Sequence, residues 1–291
     1  MAGGIDHLVL CVRDLEQARY VYQQLGFTLT PPARHPFGTA NSLVQFAERS
    51  FLELLTVADP GSIPQMRPGF FSFGAFNRDF LLRQEGCSML VLESADAEGD
   101  AGAWASAGLG AFAPFRFERP AKLPDGTIAT VAFTLAFAVD ARLSDSAFFA
   151  CQQHAPQFFW MSEYQRHANG ALGIDEVALV AADPLAFSGL LESLTGVAAE
   201  SIEGGVVAHT ARGRFLAITP EAFEQRYAVV APPLDRGPRL AGCRIGVEDA
   251  DAFKARLRKI GTEFRKAGTA LVIPPSAAFG LALGFVQRSK A

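Results

Sequence analysis

The chain has 291 residues, 49% of them apolar and 19% charged, with a formal net charge of -4. That length exceeds what one hydrophobic core usually organises and suits two. The apolar share excludes a disordered chain, and the slight acidic balance argues against nucleic acid as a partner, because phosphate binding needs a basic excess. No apolar run reaches the roughly 18 to 20 residues needed to cross a bilayer, and the N-terminus enters a strand pattern without a basic and apolar leader. Cys11, Cys87, Cys151 and Cys243 are scattered with no Cys-x-x-Cys pair. A cytoplasmic protein with no membrane partner and no disulfide frame is therefore expected.

Residues 5–12 read as a strand that carries one imidazole, His7, among aliphatic neighbours. Asp14 then stands as a helix N-cap, with Gln17 in the capping-box position. Leu15, Ala18, Val21, Tyr22 and Leu25 recur at helical spacing, and Gly26 is the expected stop. Three strand-like segments follow at 27–30, 42–46 and 51–57, the last carrying one carboxylate, Glu53. The unit is βαβββ. Residues 58–85, with Phe70, Phe71, Phe73, Phe76 and Phe80, read as a lid or flank over a cavity.

The same order of elements returns three times. Residues 87–92 open a second unit, with a helix start near Asp96, Gly108 as the stop, and strands at 112–117, 128–139 and 147–151. Gly173-Ile174-Asp175-Glu176-Val177 repeats Gly4-Ile5-Asp6-His7-Leu8 at a constant offset, and Phe215-Leu216-Ala217-Ile218 echoes Phe51-Leu52-Glu53-Leu54. A fourth unit starts near 241, with Phe253, Leu257 and Ile260 on its helix and strands at 270–273 and 280–287. Such position-by-position identity marks internal duplication. One βαβββ unit cannot cover the concave face of its own sheet, so units should pair. The expected fold is α+β, with four modules (near 5–57, 87–154, 174–220 and 241–288) forming two domains, 1–160 and 173–291.

Ile5-Asp6-His7-Leu8-Val9, Arg34-His35-Pro36-Phe37-Gly38-Thr39-Ala40-Asn41 and Phe51-Leu52-Glu53-Leu54 resemble the glyoxalase-like domain family of the vicinal oxygen chelate superfamily, which includes glyoxalase I, extradiol dioxygenases and bleomycin-resistance proteins. The resemblance implies a divalent metal (Fe, Mn, Ni or Zn) held by His7 and Glu53 inside the N-terminal domain. Met89 stands where the second module should carry its histidine. Its last strand offers Gln152, Gln153 or His154 instead, and His154 is taken as the third ligand. The resemblance further implies Glu53 and His35 as catalytic groups and Arg34 and Asn41 as substrate contacts, while Phe70 and Phe71, near the expected opening, would suit an apolar substrate wall. The substrate would be a small molecule with neighbouring oxygens, processed by lyase, isomerase or dioxygenase chemistry. A homodimer is the further association expected.

The residues alone allow plainer readings. A lone buried histidine is commonly a hydrogen-bonded core residue. Glu53 is harder to place so, because a carboxylate in an apolar strand costs several kcal/mol unless paired or ligating a metal; Arg34 is the ion-pair alternative. In the C-terminal half Glu176 replaces the histidine, Ala217 stands for Glu53 and Arg244 lies near, so no metal is expected there. With Met89, this favours the alternative of a metal-free binding protein of the bleomycin-resistance type.

Overall fold

In the computed structural model, which describes residues 3–123 and 125–288, strands fall where the sequence alternates or runs apolar. The first unit forms β1 (Ile5–Cys11), α1 (Leu15–Gln24), β2 (Ala33–Arg34), β3 (Thr39–Gln45) and β4 (Phe51–Val57), followed by α2 (Phe73–Leu81). The second forms β5 (Gly86–Glu93), α3 (Ala97–Ser106), β6 (Phe115–Lys122), β7 (Ile128–Ala138) and β8 (Ala147–Gln153). The third forms β9 (Ala171–Val180), α4 (Ser188–Thr195), β10 (Glu200–Ile202), β11 (Gly205–His209) and β12 (Arg214–Ile218), followed by α5 (Pro220–Tyr227). The fourth forms β13 (Arg239–Val247), α6 (Ala250–Lys259), β14 (Arg265–Ala267), β15 (Ala270–Ile273) and β16 (Ala282–Gln287). The Asp14 carboxylate accepts from the Gln17 amide at 2.9 Å, and Gly26 takes a φ of +94° just past the helix end.

The strands make two eight-stranded sheets, ordered β2-β3-β4-β1-β5-β8-β7-β6 and β10-β11-β12-β9-β13-β16-β15-β14. In each, the first strands of two units lie antiparallel at the centre. The fold is α+β, built from four βαβββ modules joined in two pairs. Strand alternation then sorts the side chains into three layers. Leu8, Leu10, Leu52, Leu54, Leu90 and Leu92 point to the back of the first sheet and share one core with Val177, Leu179, Cys243 and Ile245 from the back of the second. Val9, Cys11, Phe51, Leu55, Met89 and Phe149 line the hollow of the first sheet. Ala178, Val180, Leu216 and Ile218 line that of the second. The sheets thus meet back to back. Trp104 Nε1 donates to Ser193 O across the seam at 2.9 Å, and Arg212 Nη2 meets Glu93 Oε2 at 3.0 Å. No described helix is long and apolar enough to cross a membrane.

Two expectations are corrected, and the flank expected over 58–85 takes the form of a helix. Residues 27–30 form no strand: Pro31 and Pro32 follow at once and lack amide donors, and the Thr28 amide is taken by His167 Nδ1 at 3.0 Å. Within 58–85 lies a helix, α2, capped by Ser72, whose Phe73 and Phe80 pack into the first hollow. Ala217 is not the counterpart of Glu53. Val9 pairs with Glu53 while Ala178 pairs with Leu216, and one residue of slip exchanges the faces of a strand. Ala217 therefore points to the back, and Leu216 fills the hollow where the first sheet has its carboxylate.

Candidate active site

The hollow of the first sheet is closed by contact between its own edges. Phe37, just after β2, meets Phe115 and Phe117 of β6 edge to face, with centroids 5.4 and 5.1 Å apart. Behind this aromatic latch is a chamber of about 50 Å³, walled largely by Phe37, Phe51, Phe73, Phe117, Phe133 and Phe149. It adjoins a cleft of about 430 Å³ that shares Leu43, Arg119 and Phe159 with it. The cleft alone falls in the size range of a small-molecule site.

The polar groups of the chamber converge on Glu53. His7, Val9 and Cys11 alternate along one face of β1, and Phe51, Glu53 and Leu55 along the same face of β4. His7 Nε2 therefore faces Glu53 Oε2 at 3.7 Å, with the imidazole stacked on Phe51 at 4.1 Å. On its other side His7 Nδ1 lies 2.6 Å from the buried Asp6 carboxylate. A bulge in β1 between Ile5 and His7 accompanies these neighbours at one locus. With Nδ1 engaged by Asp6, His7 turns Nε2 toward Glu53. Gln153 Nε2 supports Asp6 Oδ1 at 3.4 Å.

Asn41 Nδ2 donates to Glu53 Oε1 at 2.6 Å and to His35 Nε2 at 3.3 Å, leaving its own Oδ1 buried without a partner. The second His35 nitrogen, Nδ1, donates to Thr39 Oγ1 at 2.8 Å. Burial, then the charges of Arg119 and His7, lowers the His35 pKa to about 3. Its imidazole is uncharged near neutral pH, which suits it to positioning Asn41 rather than to donating a proton. Burial pushes Glu53 the other way, above its ordinary 4.5, against the pull of His7, Asn41 and Arg119.

The low His35 value carries a linkage. Between pH 6.5 and about 3 the unfolded chain binds a proton on this residue that the folded chain does not, so stability falls as the pH drops through that window. Urea unfolding midpoints should decline from about pH 6.5 downward, and His35→Asn should flatten the decline; an equally steep curve in the variant would contradict the assignment.

The structure thus brings together His7, His35, Asn41 and Glu53. It places the remaining candidates elsewhere. Phe149 and Cys151 of β8 face the hollow, and Gln153 follows them. His154 lies one residue further on and emerges exposed, with Nε2 2.8 Å from Thr134 Oγ1 and 3.3 Å from Arg116 Nη1. His154 therefore does not join the facing pair His7 and Glu53, against the expectation that it would be a third ligand beside them. Among the described residues no group of three His, Cys, Asp or Glu side chains converges as a metal site. Arg34 is exposed in the adjoining cleft. Phe70 packs edge to face on Phe115, and Phe71 stacks on Phe137 at 4.5 Å, so both buttress the wall without lining the chamber.

Two groups at the site are not evident from the sequence. Asp6 stands out there only as part of a motif. Arg119 lines both chamber and cleft, its Nε buried without a partner. The signal for it is the alternation Phe115, Phe117, Arg119 along β6, which puts all three on the inner face.

Residues 5–195, more than half of the chain, match the family described as glyoxalase-like domain. A comparison with curated proteins gave no match. Among solved structures, a hypothetical protein from Staphylococcus aureus is similar over 98% of this chain and 99% of its own, with 13% identity and a TM-score of 0.68. A triple mutant of 4-hydroxymandelate synthase from Streptomyces coelicolor is similar over 100% of this chain and 94% of its own, at 13% identity and a TM-score of 0.56. A xylose isomerase-like TIM barrel/4-hydroxyphenylpyruvate dioxygenase fusion protein is similar over 100% of this chain and 49% of its own, at 13% identity and a TM-score of 0.54. At that identity the likeness is one of fold.

Proposed function

Because the chain belongs to the glyoxalase-like domain family, we propose that its N-terminal hollow is a metal-dependent enzyme site for a small molecule with an apolar body and neighbouring oxygens. One observation carries this reading. His7 Nε2 and Glu53 Oε2, both electron-pair donors, face each other at 3.7 Å in a buried chamber with no hydrogen bond between them. Both atoms can ligate a metal, and their separation is compatible with an ion held between them. A divalent ion with bonds of about 2.0–2.2 Å to nitrogen and oxygen fits such a pair and leaves positions for substrate.

His7 and Glu53 would hold the ion, which supplies Lewis-acid polarisation of substrate oxygens when bound. The chain's own residues do the rest. Asp6 fixes the His7 ring so that Nε2 is the free nitrogen. Asn41 occupies Glu53 Oε1 and turns Oε2 to the chamber. The phenylalanine walls exclude water and suit an apolar or ring-bearing substrate. Arg119, at the junction of chamber and cleft, is placed to meet the substrate's oxygen-bearing end. Lyase or isomerase chemistry is preferred to dioxygenation, on the family's character.

Elemental analysis of protein purified without chelator should find a divalent metal, and His7→Ala should lose it. Unchanged occupancy in that variant would refute the site. Sedimentation of the same preparation reads out the expected homodimer.

The apolar contribution of the second module favours one other reading. Met89 and Phe149, the nearest module counterparts of His7 and Glu53, are both buried hydrophobes. A chamber with ligands on one side only could sequester an apolar molecule without transforming it. Metal-free protein that binds such a ligand with wild-type affinity after His7→Ala would establish this instead.

A further inference from the structure

The second hollow carries charge that the chemistry above does not use. Glu176, at the position of His7 on β9, is entirely buried. Its carboxylate is met by Arg226 Nε at 2.6 Å, Arg214 Nε at 2.9 Å and the Tyr227 hydroxyl at 3.2 Å. Arg244 Nε lies 3.7 Å away, too far for a hydrogen bond, and is buried without a partner. Arg214 pairs with Glu176 across the sheet as Phe51 pairs with His7, and Arg244 does so as Val91 does. Positions that are aromatic or aliphatic in the first hollow have become guanidinium groups in the second.

One carboxylate cannot serve three guanidiniums. Glu176 spends both oxygens on Arg226, Arg214 and Tyr227, while Arg244 gives Nη2 to the Arg226 carbonyl and leaves its Nε unpaired. All three arginines line an open hollow of about 530 Å³, in which Glu203 is the one acid of the wall among the described residues. Counting Glu176, three positive charges face two negative ones in a partly dry setting. Planar guanidinium forks held by a buried acid are pre-oriented for a carboxylate or phosphate.

We propose that the C-terminal hollow binds a small oxyanion, the carboxylate or phosphate group of a small molecule, on the guanidinium groups of Arg214, Arg226 and Arg244. This site is separate from the N-terminal chamber and does not rest on the metal reading. Arg214 is the residue to test, because its side chain, 40% exposed, is the most open of the three. Calorimetric titration of the full chain with inorganic phosphate, and separately with malonate, at matched ionic strength should show saturable binding of at least one of them. Arg214→Gln should weaken it about tenfold or more, the scale of a lost charge-assisted hydrogen bond. Glu53→Gln should leave it unchanged, which separates this site from Arg119 in the other hollow. The tighter of the two probes identifies phosphate or carboxylate as the natural group. Absence of saturable binding by either probe, or undiminished affinity in Arg214→Gln, overturns the proposal. If Arg214→Gln does not fold, Arg214→Lys keeps the charge, removes the fork and is judged by the same outcomes.

Discussion

Glu53→Gln is expected to abolish metal retention and to lower turnover of any substrate the chamber accepts by about 10²–10⁴-fold, the usual range for a positioned catalytic group. The same change should leave the metal-free fold at least as stable. Gln keeps the shape and one acceptor, while the burial penalty on an ionised carboxylate disappears. The sign follows from linkage. Burial raises Glu53 above its ordinary 4.5, so the folded chain holds this proton more tightly than the unfolded chain does. Its contribution to stability is greatest below that ordinary value and is lost as the pH rises through the raised one. The variant should lack this loss and gain on wild type by about 1–3 kcal/mol at neutral pH, the mutational scale for burying a polar group without full compensation. Urea unfolding at pH 4 and pH 7 measures the gain, and turnover measures the loss. A variant that loses both activity and stability would make Glu53 a structural residue.

Glu176→Gln should act in the reverse sense. Burial by itself would raise this carboxyl, but the Arg226 hydrogen bond and the charges of Arg226, Arg244 and Arg214 hold it below its ordinary value. Its stabilising effect is therefore fully present above about 4.5 and is lost as the pH falls through the lower folded value. Removing the charge leaves three half-buried guanidiniums without their shared acid. Breaking a buried pair in this way costs about 3–5 kcal/mol, a fall in Tm of roughly 10 °C for a chain of this size. Thermal melts at pH 7 should show that fall, and melts near pH 3 should bring the two proteins closer together. Equal melting at pH 7 would mean that the cluster contributes nothing to folding.

These opposite expectations for two glutamates show where the sequence is readable. His7 and Glu53 meet because each sits on an apolar strand whose alternation sends every second residue to the same face, a period visible in the residues. Asn41 and His35 join them through a local motif around a turn. His154 misleads because residue type singles it out at a strand end, where parity decides the face. Ala217 misleads for the same reason: identity of letters suggests one alignment, and the hydrogen-bond register imposes another, one residue away. Arg119 is hidden because its strand lies far along the chain and meets the site only when the sheet curls until its edges touch. Helix α2 is masked by its own phenylalanines. Their number suggests an apolar wall, although Ser72 and the spacing of Phe73, Asn77 and Phe80 fit a capped helix.

The joining of the two sheets by their backs has a consequence for how such a duplicated chain can diverge. Each bowl opens to its own side, and a layer of leucine, valine and isoleucine insulates one from the other. Lining residues of one copy can be exchanged, even to the point of inverting the electrostatic sign, without disturbing chemistry in its sibling. What both copies must preserve is the greasy partition, since every substitution there is felt on two fronts. The tolerance of the rims and the intolerance of the partition are two faces of a single architectural choice.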